Sequence, residues 1–157
     1  MAAAELIDFA ANIGKKKRRD YLDRKYYSTL EEQQIQKDKS TTAYVGNLSF
    51  YTSETQIYNF FSQAGMVERI IMGLNKNTKK PCGFCFVVYL NRSSLLTAAK
   101  YLNGVFFDGM KVKVEIDPGF KEGRQYGRGR EGSQVQDERR GYVDYFRQIG
   151  DTKRQKT

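Results

Sequence analysis

The chain has 157 residues, enough for one domain with tails. It carries 27 Lys+Arg against 18 Asp+Glu, a net charge of +9, with 11 Tyr, 10 Phe, no Trp and no His. Without histidine there is no Ser-His-Asp triad, no Cys-His nucleophile pair and no imidazole metal ligand. A basic, aromatic-rich chain fits a nucleic-acid binder that stacks bases.

Residues 1–40 hold 9 basic and 7 acidic side chains, residues 41–117 hold 8 and 5, and residues 118–157 hold 10 and 6. The apolar residues that can build a core concentrate in 41–117. The chain is therefore expected to be a small core domain, residues 41–117, between an N-terminal arm (1–40) and a Gly/Arg-rich C-terminal arm with a basic tail (118–157). In the first arm, Glu5 and Asp8 interrupt the apolar stretch and the run Lys15-Lys16-Lys17-Arg18-Arg19 follows it. That is the wrong order for a secretory signal, so the chain is expected to be intracellular.

Within the core the apolar period switches between 2 and 3.6. Ala43 to Leu48 alternates as a first strand. Ser53-Glu54-Thr55-Gln56 fits a capping box, and Ile57, Phe60 and Phe61 give a helical face that Gly65 is expected to close. Val67 to Leu74 reads as a second strand, Asn75 to Pro81 as a polar basic loop, and Gly83 to Leu90 as a third strand. Leu95, Ala98, Ala99 and Leu102 mark a second helix, ended by Asn103-Gly104. Lys111 to Asp117 reads as a fourth strand. The order is βαββαβ, an α+β fold with two helices on one face of a four-stranded antiparallel sheet.

Parity on the third strand places Cys85, Val87 and Tyr89 toward the helices and Phe84 and Phe86 on the open face. Tyr44 shares the outward parity on the first strand. The three rings form a platform on which bases stack at about 1–3 kcal/mol each. Cys82 and Cys85, three apart on one strand, point to opposite faces and cannot chelate or pair together. With no nucleophile beside a base, the chain is read as a binding protein and not an enzyme. No metal or cofactor is expected.

Tyr44-Val45-Gly46-Asn47-Leu48 resembles the RNP2 motif of RNA-recognition motif (RRM) domains. Cys82 to Tyr89 resembles RNP1, except that Cys82 stands where that motif has a basic residue. The segment Gly119-Phe120-Lys121-Glu122-Gly123-Arg124-Gln125-Tyr126-Gly127-Arg128-Gly129-Arg130 goes further. With Tyr44 to Thr52 and Ile70 to Leu74, it resembles the family of small subunits of nuclear mRNA cap-binding complexes. The resemblance runs from about Tyr21 to Val135.

This resemblance implies binding of the 7-methylguanosine cap of nuclear transcripts, in support of pre-mRNA processing, splicing, export and decay control. Methylation of N7 leaves the purine cationic, and a flat cation is held well between two electron-rich rings. The family's two rings match Tyr44 and Tyr21, with Tyr26 and Tyr27 as neighbouring rivals. Its base-edge readers match Lys113, Glu115, Ile116 and Asp117, although the family often has arginine, aspartate and tryptophan at the first three. A lysine lacks the bidentate fork of an arginine, and Ile116 serves only through its main chain. The phosphate and ribose side matches Arg124, Arg128, Gln134 and Val135, with Arg130 as a helper. Phe84 and Phe86 support the stack or meet the next nucleotide.

The implied partners are capped RNA and a large helical-repeat subunit docked on the helix side. Lys15 to Arg19 reads as a nuclear localisation run for an importin, and the implied location is the nucleus with shuttling to the cytoplasm. With few apolar anchors, the arms are expected to order only on binding. Two other readings stand beside this one: an ordinary RRM protein binding uncapped single-stranded RNA, and a subunit whose sheet face is covered by protein.

Overall fold

The computed structural model of the chain describes residues 3–13 and 21–139; the run Lys15 to Arg19 and the tail beyond Arg139 lie outside the described residues. The chain runs α1 (Ala3–Ile13), α2 (Leu30–Lys39), β1 (Thr42–Gly46), α3 (Glu54–Phe61), β2 (Val67–Leu74) and β3 (Pro81–Tyr89). It continues through α4 (Arg92–Tyr101), the short hairpin β4 (Phe106–Phe107) and β5 (Met110–Lys111), then β6 (Lys113–Asp117) and α5 (Val135–Arg139).

Four strands form one antiparallel sheet in the order β2-β3-β1-β6, so the two RNP-like strands are its centre. The βαββαβ order is present, with one difference. The expected fourth strand is divided: Lys111 belongs to the β4–β5 hairpin and the sheet strand begins at Lys113. Gly109, at φ 82 in that hairpin's turn, takes a conformation other residues reach only with strain.

The capping box at the start of α3 is complete, with Ser53 Oγ accepting from Gln56 N–H and Gln56 Oε1 accepting from Ser53 N–H. The helix does not end at Gly65, however. Its C-cap is Ser62, and Gly65 lies in the following turn, where an added Cβ would strike Ser94 of α4. The main core is Ala43, Val45, Ile57, Phe61, Cys85, Val87, Tyr89, Leu95, Ala98, Val112 and Val114 with their neighbours. Burial raises the Cys85 thiol well above its ordinary range, so it packs as a small neutral side chain. Tyr89 stays buried because its hydroxyl donates to Phe61 O at 2.8 Å.

The other sheet face departs from expectation. Phe84 and Phe86 do face away from the helices, but they are 5% and 2% exposed. With Cys82 they make a second buried cluster, flanked by Tyr44, Ile71 and Phe120. The cover is the C-terminal arm. Leaving β6, it lays Phe120 against Phe86 at 5.5 Å between centroids. It then pairs with the β2 end through Leu74 N–H to Gln125 O (2.7 Å) and Gly127 N–H to Leu74 O (2.9 Å). Finally it returns across β3, where Gln134 Nε2 donates to Cys82 O at 3.0 Å.

In the structure residues 21–40 and 118–139 of the two arms lie folded against the sheet domain. Hydrogen bonds and ion pairs supply the anchors that apolar residues do not.

Candidate nucleic-acid interface

Tyr44 is carried by β1 and rests on the covered aromatic cluster. Its ring stacks on Phe84 (5.9 Å, 29° between planes) and meets Phe86 edge-on (5.9 Å, 64°). The hydroxyl donates to Gln134 Oε1 at 2.9 Å. One ring face is therefore braced from beneath. On its flank opens a cleft lined by Tyr44, Gly46, Asn47, Lys113, Gln134, Gln136 and Asp137.

The register of β6 on β1 sets Glu115 directly opposite Tyr44 and Lys113 opposite Gly46. Both side chains are exposed and pair with each other, Lys113 Nζ to Glu115 Oε1 at 3.0 Å. The neighbouring Ile116 is partly buried and packs against the main core.

Tyr21 sits on the N-terminal arm and is 67% exposed. It is nonetheless held at both ends. Gln33 on α2, itself buried, donates from Nε2 to Tyr21 O and accepts Asp23 N–H at Oε1. Arg128 donates to the Tyr21 hydroxyl at 3.1 Å. The rival rings are occupied elsewhere. The Tyr26 hydroxyl donates to Glu122 O, and Tyr27 is buried beneath Lys121, whose Nζ lies 4.7 Å from its ring centroid. Among the three, Tyr21 is the exposed ring with a fixed backbone.

The two arms are joined by a buried charge network. Asp23, 1% exposed, accepts from both guanidinium nitrogens of Arg128 (3.0 and 3.1 Å) and lies 3.3 Å from Arg124 Nε. Arg124 forks onto Asp117 at 2.6 and 2.9 Å and also donates to Gly119 O. Burial alone would raise the Asp23 pKa, but the hydrogen bond and charge of Arg128, and the charge of Arg124, hold it below the ordinary aspartate value. For Arg124, burial is outweighed by Asp117 and Asp23, and its charged form is favoured further.

Two expectations change here. Arg124 was expected beside the cap phosphates; its side chain is buried between two carboxylates, where such a fork is at its strongest, and its guanidinium lies 4.9 Å over the Phe86 ring. Asp117 was expected to read the base edge, but its carboxylate accepts from Arg124 and from Gly119 N–H and is buried. Of the other phosphate-side residues, Arg128 is partly exposed and shared with Asp23 and Tyr21. Gln134 is divided between Tyr44 and Cys82, while Arg130 and Val135 are exposed.

Gln33, Asp23 and Phe120 were not singled out from the sequence. A signal existed for the first: Thr29 and Glu32 have capping-box spacing. Thr29 Oγ1 accepts Glu32 N–H and Glu32 accepts Ser28 N–H, starting the helix that carries Gln33. Among the described residues, no group of three His, Cys, Asp or Glu side chains could hold a metal ion.

A sheet with RNP-like central strands, one of which carries a braced tyrosine, defines an RNA-recognition-motif protein, and the family model described as RNA recognition motif matches residues 43–113. The nuclear cap-binding protein subunit 2 of Homo sapiens is 52% identical over 120 residues, 76% of this chain and 77% of that protein. The chain belongs to the nuclear cap-binding protein subunit 2 family. The Oryza sativa subsp. japonica member is 52% identical over 125 residues, 80% of this chain. The chain spans about half of that relative's length (51%). Among solved structures, the RNA15 RRM aligns at TM-score 0.46 and 23% identity, over 55% of this chain and 94% of that one.

Proposed function

We propose that the chain binds the 7-methylguanosine cap of RNA, with the methylated base between Tyr44 and Tyr21. The observation that carries this reading is Tyr21: an exposed ring on an arm whose backbone and hydroxyl are both fixed. A preset ring loses little conformational freedom on binding. Two rings around a cationic purine add stacking to cation–π attraction, about 2 kcal/mol or more when desolvated.

In this reading Glu115, beside Tyr44, accepts from the guanine N1–H and N2–H₂ edge, with Lys113 toward O6 and the main chain of Ile116 alongside. Asp117 and Arg124 act one step back, locking the arm over Phe86. Phe84 and Phe86 brace Tyr44 from beneath. Arg128, Arg130, Gln134 and Val135 face the triphosphate and ribose. The burial of Phe84 and Phe86 disfavours the ordinary RRM reading, which needs both rings open to successive bases.

The partner is a large helical-repeat subunit on the helix side, where α1 rests on α4 through Glu5 with Lys100 and Tyr101. An importin reads Lys15 to Arg19, and the complex acts in the nucleus and shuttles with its transcript in processing, export and decay.

The test is a titration of the chain, alone and co-expressed with the large subunit, against m7GpppG and GpppG. The expected result is a preference for the methylated ligand of at least tenfold, which Tyr21→Ala removes and Tyr26→Ala keeps. Equal affinities for the two ligands overturn the reading.

A further inference from the structure

The covered sheet leaves open where the nucleotides after the cap would run. In an open RRM sheet they would cross Phe84 and Phe86, but here Phe120, Arg124 and Gln134 lie over that path. Just beyond the arm lies the β2–β3 loop, residues 75–80, with three lysines in five positions: Lys76, Lys79 and Lys80. All three are exposed and none forms an ion pair among the described residues.

The loop is a built feature. Asn75 Oδ1 accepts the N–H groups of Asn77 (2.9 Å) and Thr78 (3.1 Å), and Lys79 N–H donates to Asn75 O at 2.8 Å. Lys79 adopts φ 60, and its Nζ lies 4.1 Å over the ring of Tyr126. The arm clamps the loop from outside. Lys76 N–H donates to Gly132 O at 2.8 Å, and both Asn75 and Asn77 donate side-chain N–H groups to Glu131 O. The lysines are thereby fixed to the same arm that carries Arg128 and Arg130.

We propose that this ridge, Lys76, Lys79 and Lys80, holds the phosphate backbone of the RNA that follows the cap. The inference rests on the cap reading above and extends it. Exposed lysines on a fixed turn bind phosphates as point charges and read no base, so the contribution is independent of RNA sequence and dependent on salt. It adds affinity for capped RNA over a bare cap dinucleotide without touching the methylated base.

The experiment compares the 157-residue chain with the triple variant Lys76→Gln, Lys79→Gln, Lys80→Gln and with the charge-keeping triple to Arg. Ligands are m7GpppG, an m7G-capped 12-nucleotide RNA and its uncapped form, each titrated from 50 to 200 mM salt. The expected result is that m7GpppG affinity stays within twofold in all three proteins. For the capped 12-mer, the slope of log affinity against log salt falls by about 2 in the Gln triple, at about 0.7 per phosphate of a single strand. The Arg triple keeps the slope. A wild-type slope in the Gln triple overturns the proposal, as does an equal loss of slope in the Arg triple. Should m7GpppG and GpppG bind equally, the cap reading fails; a lysine-dependent slope on the uncapped 12-mer would still support the ridge.

Discussion

Asp23 has no apolar role and no position in a recognisable motif, yet it joins the two arms. It takes both nitrogens of Arg128, which in turn holds the Tyr21 hydroxyl. Its folded pKa is depressed, so its contribution to stability is present above the unfolded aspartate value, near 4, and is lost as pH falls through the lower folded value. We predict that the near-UV circular dichroism of the arm tyrosines is steady from pH 7 to about 4 and declines below that. Asp23→Asn should remove this acid transition and lower m7GpppG affinity by about tenfold, a loss of about 1.4 kcal/mol. An unchanged transition in Asp23→Asn would assign it to another carboxylate.

At the scale of elements, the C-terminal arm matters most. Its crossing over itself depends on Gly127, where an added Cβ would run into Gly132 O and the Ser133 backbone. Gly127→Ala is expected to lift the arm, uncover Phe86 and reduce cap affinity at least tenfold, while far-UV circular dichroism shows the sheet and helices retained. A variant with wild-type affinity would show that the crossing is not needed.

The sheet elements were legible because burial writes itself into local periodicity: Val67–Leu74 matches its predicted span, and the parity of Cys85 and Val87 against Phe84 and Phe86 places both sets on the correct faces. The arms were not legible because their anchors are polar and distant in sequence. Asp23 meets Arg128 across 105 positions, and Tyr44 meets Gln134 across 90. No period or composition announces such pairs. The buried state of Phe84 and Phe86 escaped for the same reason, since their cover is a glycine-rich segment with a single phenylalanine, Phe120.

At the scale of the whole molecule, the net charge of +9 is divided by use. Arg124 is spent inside the fold and Arg128 is shared between fold and surface, whereas Lys76, Lys79 and Lys80 stand outside it. The aromatic residues divide likewise: Phe84, Phe86 and Phe120 brace, and Tyr44 and Tyr21 present faces. In the function proposed above, these two tyrosines act as one clamp on a methylated base. The most direct measurement is a double-mutant cycle of Tyr21→Ala and Tyr44→Ala, read as the ratio of m7GpppG to GpppG affinity. Either single change is expected to bring the ratio close to one, and the double change to lower it no further. Independent, multiplying losses, or a ratio kept by Tyr21→Ala, would contradict the clamp.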